Sequence, residues 1–172
     1  VLHTTRPDIV IATETWLDKS VASSELESEG YQIYRRDRTT GSQGGVLIAV
    51  NLAISSKDVN IQTDAEISWV KIHCRGHRDI FVAACYRPHV SDKWFTKSLR
   101  QSMEKISKRK RPCAFVIGGD FNLPGWDWPD NSLKPQTQYV SLHHEFMDLL
   151  NDYGLSQHVN VPTRESNILD LV

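Results

Sequence analysis

The sequence predicts an α/β fold in which two β-sheets pack against each other and helices lie outside them. Three observations favour this arrangement. Five segments with strand patterns lie in the first half of the chain, at residues 7–14, 31–36, 46–50, 67–74 and 79–86. The two long amphipathic helical patterns come later, at residues 92–108 and 139–153. Consecutive strands without intervening helices favour packed sheets over a doubly wound parallel sheet.

The early strands differ in pattern. Residues 7–14 form a β-branched run that ends at Glu14, and residues 46–50 and 79–86 are continuous apolar runs, typical of buried strands. Residues 31–36 alternate apolar and polar side chains, which is typical of a half-buried strand. Residues 23–29 predict a short helix that Gly30 ends. Residues 67–74 add a further apolar strand.

The later elements centre on residues 113–122. An apolar run is followed there by two glycines, then by Asp120, Phe121 and Asn122, which predicts a buried strand with polar groups at its end. The flanking helices, 92–108 and 139–153, each carry apolar residues at spacings of three and four. Residues 123–135 are expected to form a loop, and short strands are expected at 155–161 and 168–172.

The composition is that of an ordinary globular chain. Apolar residues make up 40 % of the 172 residues and charged residues 24 %. The formal net charge of −1 gives no general basic surface, so an anionic partner would need a local patch. The three cysteines have no C-x-x-C spacing, which favours reduced thiols and an intracellular protein. No apolar run approaches the roughly 20 residues of a membrane span, so no membrane partner is expected.

Polar side chains stand at the ends of four predicted strands. These are Glu14, Tyr86, Asp120 and Asp170. Strand ends are where α/β proteins place their sites. A glutamate can bind Mg²⁺, a nearby carboxylate can deprotonate water, and a phenol can stabilise a phosphoryl group. Each has an ordinary structural alternative: Glu14 could cap a turn, Tyr86 could be a core aromatic, and Asp170 could pair with an arginine.

These residues resemble a known family in their order along the chain. Glu14-Thr15-Trp16, Tyr86-Arg87-Pro88, Gly119-Asp120-Phe121-Asn122 and Pro162-Thr163-Arg164 with Ile168-Leu169-Asp170 are similar to motifs of the endonuclease/exonuclease/phosphatase superfamily. That superfamily includes deoxyribonuclease I and the apurinic/apyrimidinic endonucleases. The residues of these motifs most resemble those in the endonuclease domain of non-LTR (LINE-like, jockey-type) retrotransposon polyproteins. The resemblance implies a deoxyribonuclease I-like, four-layered α/β sandwich.

The resemblance also implies roles for single residues. Glu14 would hold Mg²⁺, with Mn²⁺ as a possible substitute. Asp120 would orient or activate the attacking water, while Asn122 and Tyr86 would hold the phosphoryl group. Metal-dependent hydrolysis of a phosphodiester is the activity that this set implies.

Two further residues come from the last motif. Thr163 would lie beside the site, and Asp170 would orient a catalytic histidine. The family's Ser-Asp-His segment and an upstream metal-binding asparagine have no counterpart here. Residues 1–172 are therefore expected to be one domain that is incomplete at both ends. His143-His144-Glu145 lacks the H-E-x-x-H spacing and is interpreted as a solvated helix face.

Four arginines are candidates for contacts with DNA phosphates. Arg35, Arg36, Arg38 and Arg87 lie near predicted strand ends, and such contacts would position a duplex without reading its sequence. The alternative is a solvated charged edge.

The leading functional expectation is an endonuclease that nicks double-stranded DNA with Mg²⁺. By the resemblance, its 3′-hydroxyl product would prime reverse transcription by a reverse transcriptase domain downstream in the same polyprotein. The target would then be chromosomal DNA in the nucleus. Two alternatives stay open: a phosphatase acting on lipid or small phosphoesters, and a non-catalytic remnant of a mobile element.

Overall fold

The computed structural model describes residues 2–26, 30–39, 43–108 and 111–172, with only the backbone of residues 2 and 3. The strands in these ranges are β1 (Ile9–Thr13), β2 (Tyr31–Arg36), β3 (Val46–Asn51), β4 (Ser56–Asp58), β5 (Glu66–Ile72), β6 (Asp79–Tyr86), β7 (Cys113–Asp120), β8 (Trp126–Asp127), β9 (Ser132–Leu133) and β10 (Asp170–Leu171). The helices are α1 (Leu2–Thr5), α2 (Ser23–Leu26), α3 (Phe95–Ser107) and α4 (Val140–Tyr153).

The strands form two main sheets and a small hairpin. The smaller sheet is antiparallel, with the order β1-β3-β2. The larger sheet is mixed, with the order β10-β7-β6-β5-β4. Its one parallel pair among these strands is β6 with β7, and α3 makes the crossover that a parallel connection requires. β8 and β9 form the hairpin.

The core lies in two layers, on either side of the larger sheet. Val70 and Val82 on one face pack with Val46, Ile48 and other residues of the smaller sheet. Trp69 and Phe81, one position away in each strand, pack on the opposite face with the apolar residues of α3 and α4. Because both faces are covered, β5 and β6 read as continuous apolar runs. Successive side chains along a strand point to opposite faces, so the position of a residue in its strand sets the face on which its side chain lies.

The structure confirms the predicted packing of two sheets with helices outside. The two long helices lie inside their predicted ranges, and each predicted strand before residue 123 contains an observed one or overlaps it by most of its length. The short helix is observed over Ser23–Leu26, and residues 27–29 lie outside the described part of the chain.

Some expectations about the later segments are wrong. Residues 155–160 form no strand, because the Gln157 side chain takes up backbone groups of Val159 that a ladder would need. The expected loop at 123–135 contains the β8–β9 hairpin. β7 is less buried than expected, with Val116 40 % exposed. β10 pairs only with the last two residues of β7, Gly119 and Asp120. Among the described residues, no helix is long and apolar enough to cross a membrane.

Candidate active site

Three neighbouring strands bring polar side chains together at one edge of the larger sheet. Tyr86 ends β6 and lies opposite Asp120, which ends β7. Asp120 in turn lies opposite Asp170, the first residue of β10. Residues paired in this way point to the same face of a sheet. The smaller sheet adds Glu14, which follows β1 and accepts a hydrogen bond of 2.7 Å from the Tyr86 hydroxyl. The predicted cluster of strand-end residues is therefore one site built by both sheets.

Asp120 is the buried carboxyl group of this site. It is 5 % exposed, and burial is the main cause that raises its pKa. The negative charges of Asp170 and Glu14 raise the pKa further. The backbone N–H of Asn122, 2.9 Å from Oδ1, and the charge of Arg164 act in the opposite direction. A carboxylate whose proton affinity is raised in this way is suited to accept a proton from water.

Tyr86 is held as a hydrogen-bond donor. Burial, followed by the hydrogen bond to Glu14, raises the pKa of its hydroxyl to about 12. The phenol therefore keeps its proton at neutral pH. The guanidinium carbon of Arg38 lies 5.6 Å from the centre of the Tyr86 ring, a cation–π distance. The site thus has a neutral donor beside a fixed positive charge.

The backbone around the site adopts uncommon conformations. Glu14 has φ of 51°, Trp16 of 56° and Asn122 of 46°, all in the left-handed region. The amide nitrogen of the Asn122 side chain donates to the Arg87 carbonyl at 2.7 Å, which fixes the side chain beside Asp120. Such conformations cost free energy and are concentrated at functional sites.

Glu66 lies opposite Tyr86 and binds both Arg38 and Gly45, a role that the sequence pattern did not predict. One carboxylate oxygen accepts from Nε of Arg38 at 2.7 Å, and the other accepts from the N–H of Gly45 at 2.6 Å. Gly45 has φ of 86°, and a Cβ there would lie 2.6 Å from Oγ1 of Thr15. The available signal in the sequence was a glutamate directly before an apolar run; the structure places it opposite Tyr86.

Thr163 and Asp170 lie together at the start of β10. Oγ1 of Thr163 accepts from the backbone N–H groups of Leu169 and Asp170, at 3.0 and 3.1 Å. Thr163 thus acts on the site through the backbone that presents Asp170. The Asp170 side chain is exposed.

The structure does not bring Arg35, Arg36 or Arg87 to the site as free cations. Arg87 is fully buried, which corrects its expected contact with a phosphate. The side chains of Arg35 and Arg36 are also partly buried. Their guanidinium groups donate to backbone carbonyls: Val90 and Asp92 for Arg87, Asp18 and Val21 for Arg35, Thr63 and Ile67 for Arg36. These contacts stabilise loops, so Arg38 is the member of the predicted set that lies at the site.

His143 is also placed differently from the expectation. The histidine is 1 % exposed, and its Nε2 accepts from the N–H of Gly125 at 3.2 Å. Burial lowers its pKa, so the ring is neutral at physiological pH. The residue supports the segment after β7 and belongs to no solvated face, whereas His144 next to it is exposed.

The donor chemistry of the site fits a hard divalent cation. Glu14, Asp120, Asp170 and Asn122 carry oxygen donors, although among the described residues no three His, Cys, Asp or Glu side chains are grouped so that they could hold a metal ion by themselves. Mg²⁺ commonly uses one or two carboxylates and keeps several waters, whereas structural zinc needs four protein ligands. Glu14 is the carboxylate best placed for such an ion, because it is exposed and adjoins the Tyr86 hydroxyl.

Solved structures with the same fold are known. The endonuclease domain of TRAS1, a telomere-specific non-LTR retrotransposon, superposes with a TM-score of 0.66 at 16 % identity, over 99 % of this chain and 74 % of that one. The human Nocturnin catalytic domain superposes with a TM-score of 0.56 at 18 % identity, over 99 % of this chain and 69 % of that one. ANGEL2, a 2′,3′-cyclic phosphatase, superposes with a TM-score of 0.53 at 18 % identity, over 72 % of this chain and 42 % of that one. No curated protein sequence matches the chain.

The sequence itself matches a family profile over nearly its whole length. The profile is that of the Endonuclease/Exonuclease/phosphatase family, and the match covers residues 1–164. It therefore includes Glu14, Tyr86, Asp120 and Asn122. The expected resemblance is confirmed: the chain belongs to the Endonuclease/Exonuclease/phosphatase family, whose members hydrolyse phosphate esters.

Proposed function

We propose that this chain is a metal-dependent endonuclease domain that nicks double-stranded DNA. The observation that carries the proposal is the meeting of Glu14, Tyr86, Asp120 and Asp170 at one edge formed by both sheets. This set combines a metal-binding carboxylate, a proton acceptor and a neutral hydrogen-bond donor. Hydrolysis of a phosphodiester needs these three functions.

Asp120 is the proposed base. Its raised pKa suits it to accept a proton from a water molecule that attacks the phosphorus. Asn122 supplies its side-chain amide from a fixed position beside Asp120. The Tyr86 hydroxyl has one proton, which it donates to Glu14 in the free protein. With substrate bound, that proton would turn from Glu14 to a phosphoryl oxygen on which negative charge grows. Asp170 adds negative charge beside Asp120 and favours its protonation during the step.

Glu14 is the proposed metal ligand. Mg²⁺, or Mn²⁺ in its place, would neutralise charge on the phosphate and the leaving oxygen when bound. The oxygen donors of the site suit either ion. The hydrogen bond from Tyr86 occupies one oxygen of Glu14 and leaves the other for coordination.

The biological setting is proposed from the resemblance to non-LTR retrotransposon endonucleases. Residues 1–172 would be one domain of a longer polyprotein that carries a reverse transcriptase downstream. A nick with a 3′-hydroxyl in chromosomal DNA would prime reverse transcription, and the protein would then act in the nucleus. The likeness in fold to the endonuclease domain of TRAS1 supports this setting.

A phosphatase of lipid or small phosphoesters is the second candidate. Arg35, Arg36 and Arg87 turn toward backbone carbonyls, and the net charge is −1. The described surface therefore has less positive charge for a DNA backbone than the sequence predicted. A small substrate would not need such a surface.

Nicking of supercoiled plasmid tests the proposal. We expect nicking with Mg²⁺ and none with EDTA, and Asp120→Ala should lower the rate at least about 100-fold because the base is lost. The assay uses the 172-residue chain and the same chain with its natural flanking sequence. Leu52→Ala is the control, since Leu52 is exposed beyond β3 at the opposite end of the smaller sheet from Glu14.

The outcomes separate the candidates. Equal nicking by the Asp120→Ala protein would contradict the proposed mechanism. Release of phosphate from small phosphoesters without nicking would favour the phosphatase. A protein that does neither, with flanks present, would be a non-catalytic remnant.

A further inference from the structure

The geometry points to Trp16 as a binding residue for a nucleobase, one that lies next to the phosphodiester hydrolysed at the site. This inference rests on the proposed function and names the substrate feature that would distinguish a nucleic acid from a small phosphoester. It concerns a residue that belongs to none of the catalytic roles described above.

The indole of Trp16 is exposed beside the site. Trp16 follows Glu14 by two residues, and its exposed fraction is 60 %. Two residues of chain span at most about 7 Å, so one ligand can contact both. A single exposed aromatic residue is common on protein surfaces and needs no explanation by itself. The backbone of Trp16 supplies the second observation.

That backbone is held in a conformation that a bulky residue rarely adopts. Trp16 has φ of 56°, which is a true outlier for a side chain of this size. Its N–H donates to the carbonyl of Gly44 at 2.9 Å, and the N–H of Thr15 donates to Gly45 at 3.4 Å. Strain of this kind persists only where surrounding contacts enforce it. The structure therefore fixes the backbone that carries the exposed indole.

The contacts that hold Trp16 continue into the catalytic cluster. Gly45 donates its N–H to Glu66, and Glu66 binds Arg38, which lies over the Tyr86 ring. Tyr86 then donates to Glu14. Trp16 is thus tied to the same framework that would hold the phosphate. Holding the backbone of an aromatic residue in place lowers part of the entropy that binding must otherwise cost.

A nucleobase fits this arrangement better than a lipid surface. Stacking on a base requires one aromatic face and suits any base. Insertion into a membrane interface requires a larger apolar surface, usually with several anchoring side chains. The residues that follow Trp16 include Asp18, Lys19 and Ser20, all exposed and polar. The indole is therefore an exposed aromatic surface followed along the chain by polar residues.

Stacking on Trp16 requires the base to leave its own stack. In duplex DNA this costs a few kcal/mol and costs least where a base is unpaired. We therefore expect tighter binding to a duplex with one unpaired thymine than to the same duplex with an abasic residue at that position. Stacking on an aromatic side chain contributes about 5- to 150-fold in affinity per base, and the difference between the two duplexes should be of that size.

The experiment measures the affinity of both duplexes in EDTA, so that no cleavage occurs. Trp16→Ala should remove the difference between them, and Trp16→Phe should keep most of it because an aromatic ring remains. Leu52→Ala, which removes an equally exposed apolar side chain at the other end of the smaller sheet, should keep all of it. Circular dichroism confirms that each variant is folded.

Several results would overturn the inference. The first is equal binding of the two duplexes by the unchanged protein, and the second is a difference that survives in the Trp16→Ala protein. The third is loss of binding to phosphatidylserine vesicles in the Trp16→Ala protein, with base discrimination intact. Plasmid nicking is measured separately in Mg²⁺. Absence of nicking with base discrimination present would reject the proposed endonuclease activity and keep the stacking site, and nicking without discrimination would do the reverse.

Discussion

Asp120 shows how a single side chain serves the site at a cost to the fold. Its carboxyl group is buried next to two other acids, and the charged form is therefore less stable than in water. The partners that favour the charge are the N–H of Asn122 and the more distant Arg164. Functional sites often keep such unfavourable groups because the chemistry depends on them.

We expect Asp120→Asn to make the protein more stable at neutral pH. A carboxyl group whose pKa is higher in the folded than in the unfolded state binds more protons when folded, so the free energy of unfolding falls as pH rises between those two pKa values. The whole cost is present above that interval and absent below the unfolded pKa. The asparagine removes it and can still accept from the N–H of Asn122. The melting temperature should rise by about 2–4 °C for each kcal/mol relieved.

The measurement is the melting temperature of both proteins between about pH 3 and pH 8. The two curves should converge at the acid end and separate as pH rises. Asp130→Asn, at an exposed position, is the control and should produce no such separation. A lower melting temperature of the Asp120→Asn protein at neutral pH would contradict the expectation.

At the scale of elements, β7 owes its position to a glycine. Gly119 has φ of 138°, and a Cβ there would lie 1.9 Å from the carbonyl oxygen of Cys85 in β6. The glycine thus allows the two strands to approach closely just before their last residues. Tyr86 and Asp120 then lie side by side, and the N–H of Arg87 donates to the Asp120 carbonyl at 2.8 Å.

We expect Gly119→Ala to lower the free energy of unfolding by about 3–5 kcal/mol, because the new methyl group meets backbone that cannot move aside. Urea denaturation measures the loss. Gly76→Ala is the matched control: it also has a positive φ, of 78°, but nothing lies within 4 Å of its Cβ. That variant should lose about 1 kcal/mol from backbone strain alone. Equal losses in the two variants would show that the contact with β6 is unimportant.

At the scale of the whole molecule, the site depends on the packing of the two sheets. Glu14 belongs to the smaller sheet and Tyr86 to the larger one, and the apolar layer between the sheets sets their separation. The layer on the other side of the larger sheet contributes to stability without touching the smaller sheet. The two layers can therefore be tested separately.

We expect Ile48→Ala, between the sheets, to reduce activity more than Leu99→Ala, between the larger sheet and the helices. Both side chains are fully or almost fully buried, so each variant should lose about 2–5 kcal/mol of stability. Ile48→Ala should also disturb the Glu14–Tyr86 contact. Hydrolysis of a small phosphodiester, measured below both melting temperatures, compares them. Equal loss of activity in the two variants would show that sheet separation does not control the site.

Much of this protein is determined locally in its sequence. Apolar residues recur every two positions in a half-buried strand and about every 3.6 positions in an amphipathic helix. These repeats and the continuous apolar runs predicted the main strands and the two long helices. A polar residue at the end of an apolar run predicted three strand ends: Tyr86 and Asp120 are the last residues of β6 and β7, and Glu14 follows β1 directly. Asp170 was predicted at a strand end but begins β10. Their positions along the chain were enough to predict four candidates, but not their contacts.

The tertiary structure decided where the long side chains point. An arginine side chain can extend into solvent or turn inward. Arg87 turns inward, where its guanidinium group donates to the loop carbonyls of Val90 and Asp92. Glu66 was missed and His143 was misplaced for the same reason, since their partners come from distant segments. The bond between Glu14 and Tyr86 joins residues 72 positions apart. Local patterns were thus enough to predict where Glu14, Tyr86 and Asp120 lie along their strands. The packing of one sheet on the other brings them into one site, because contacts between distant segments leave no local pattern.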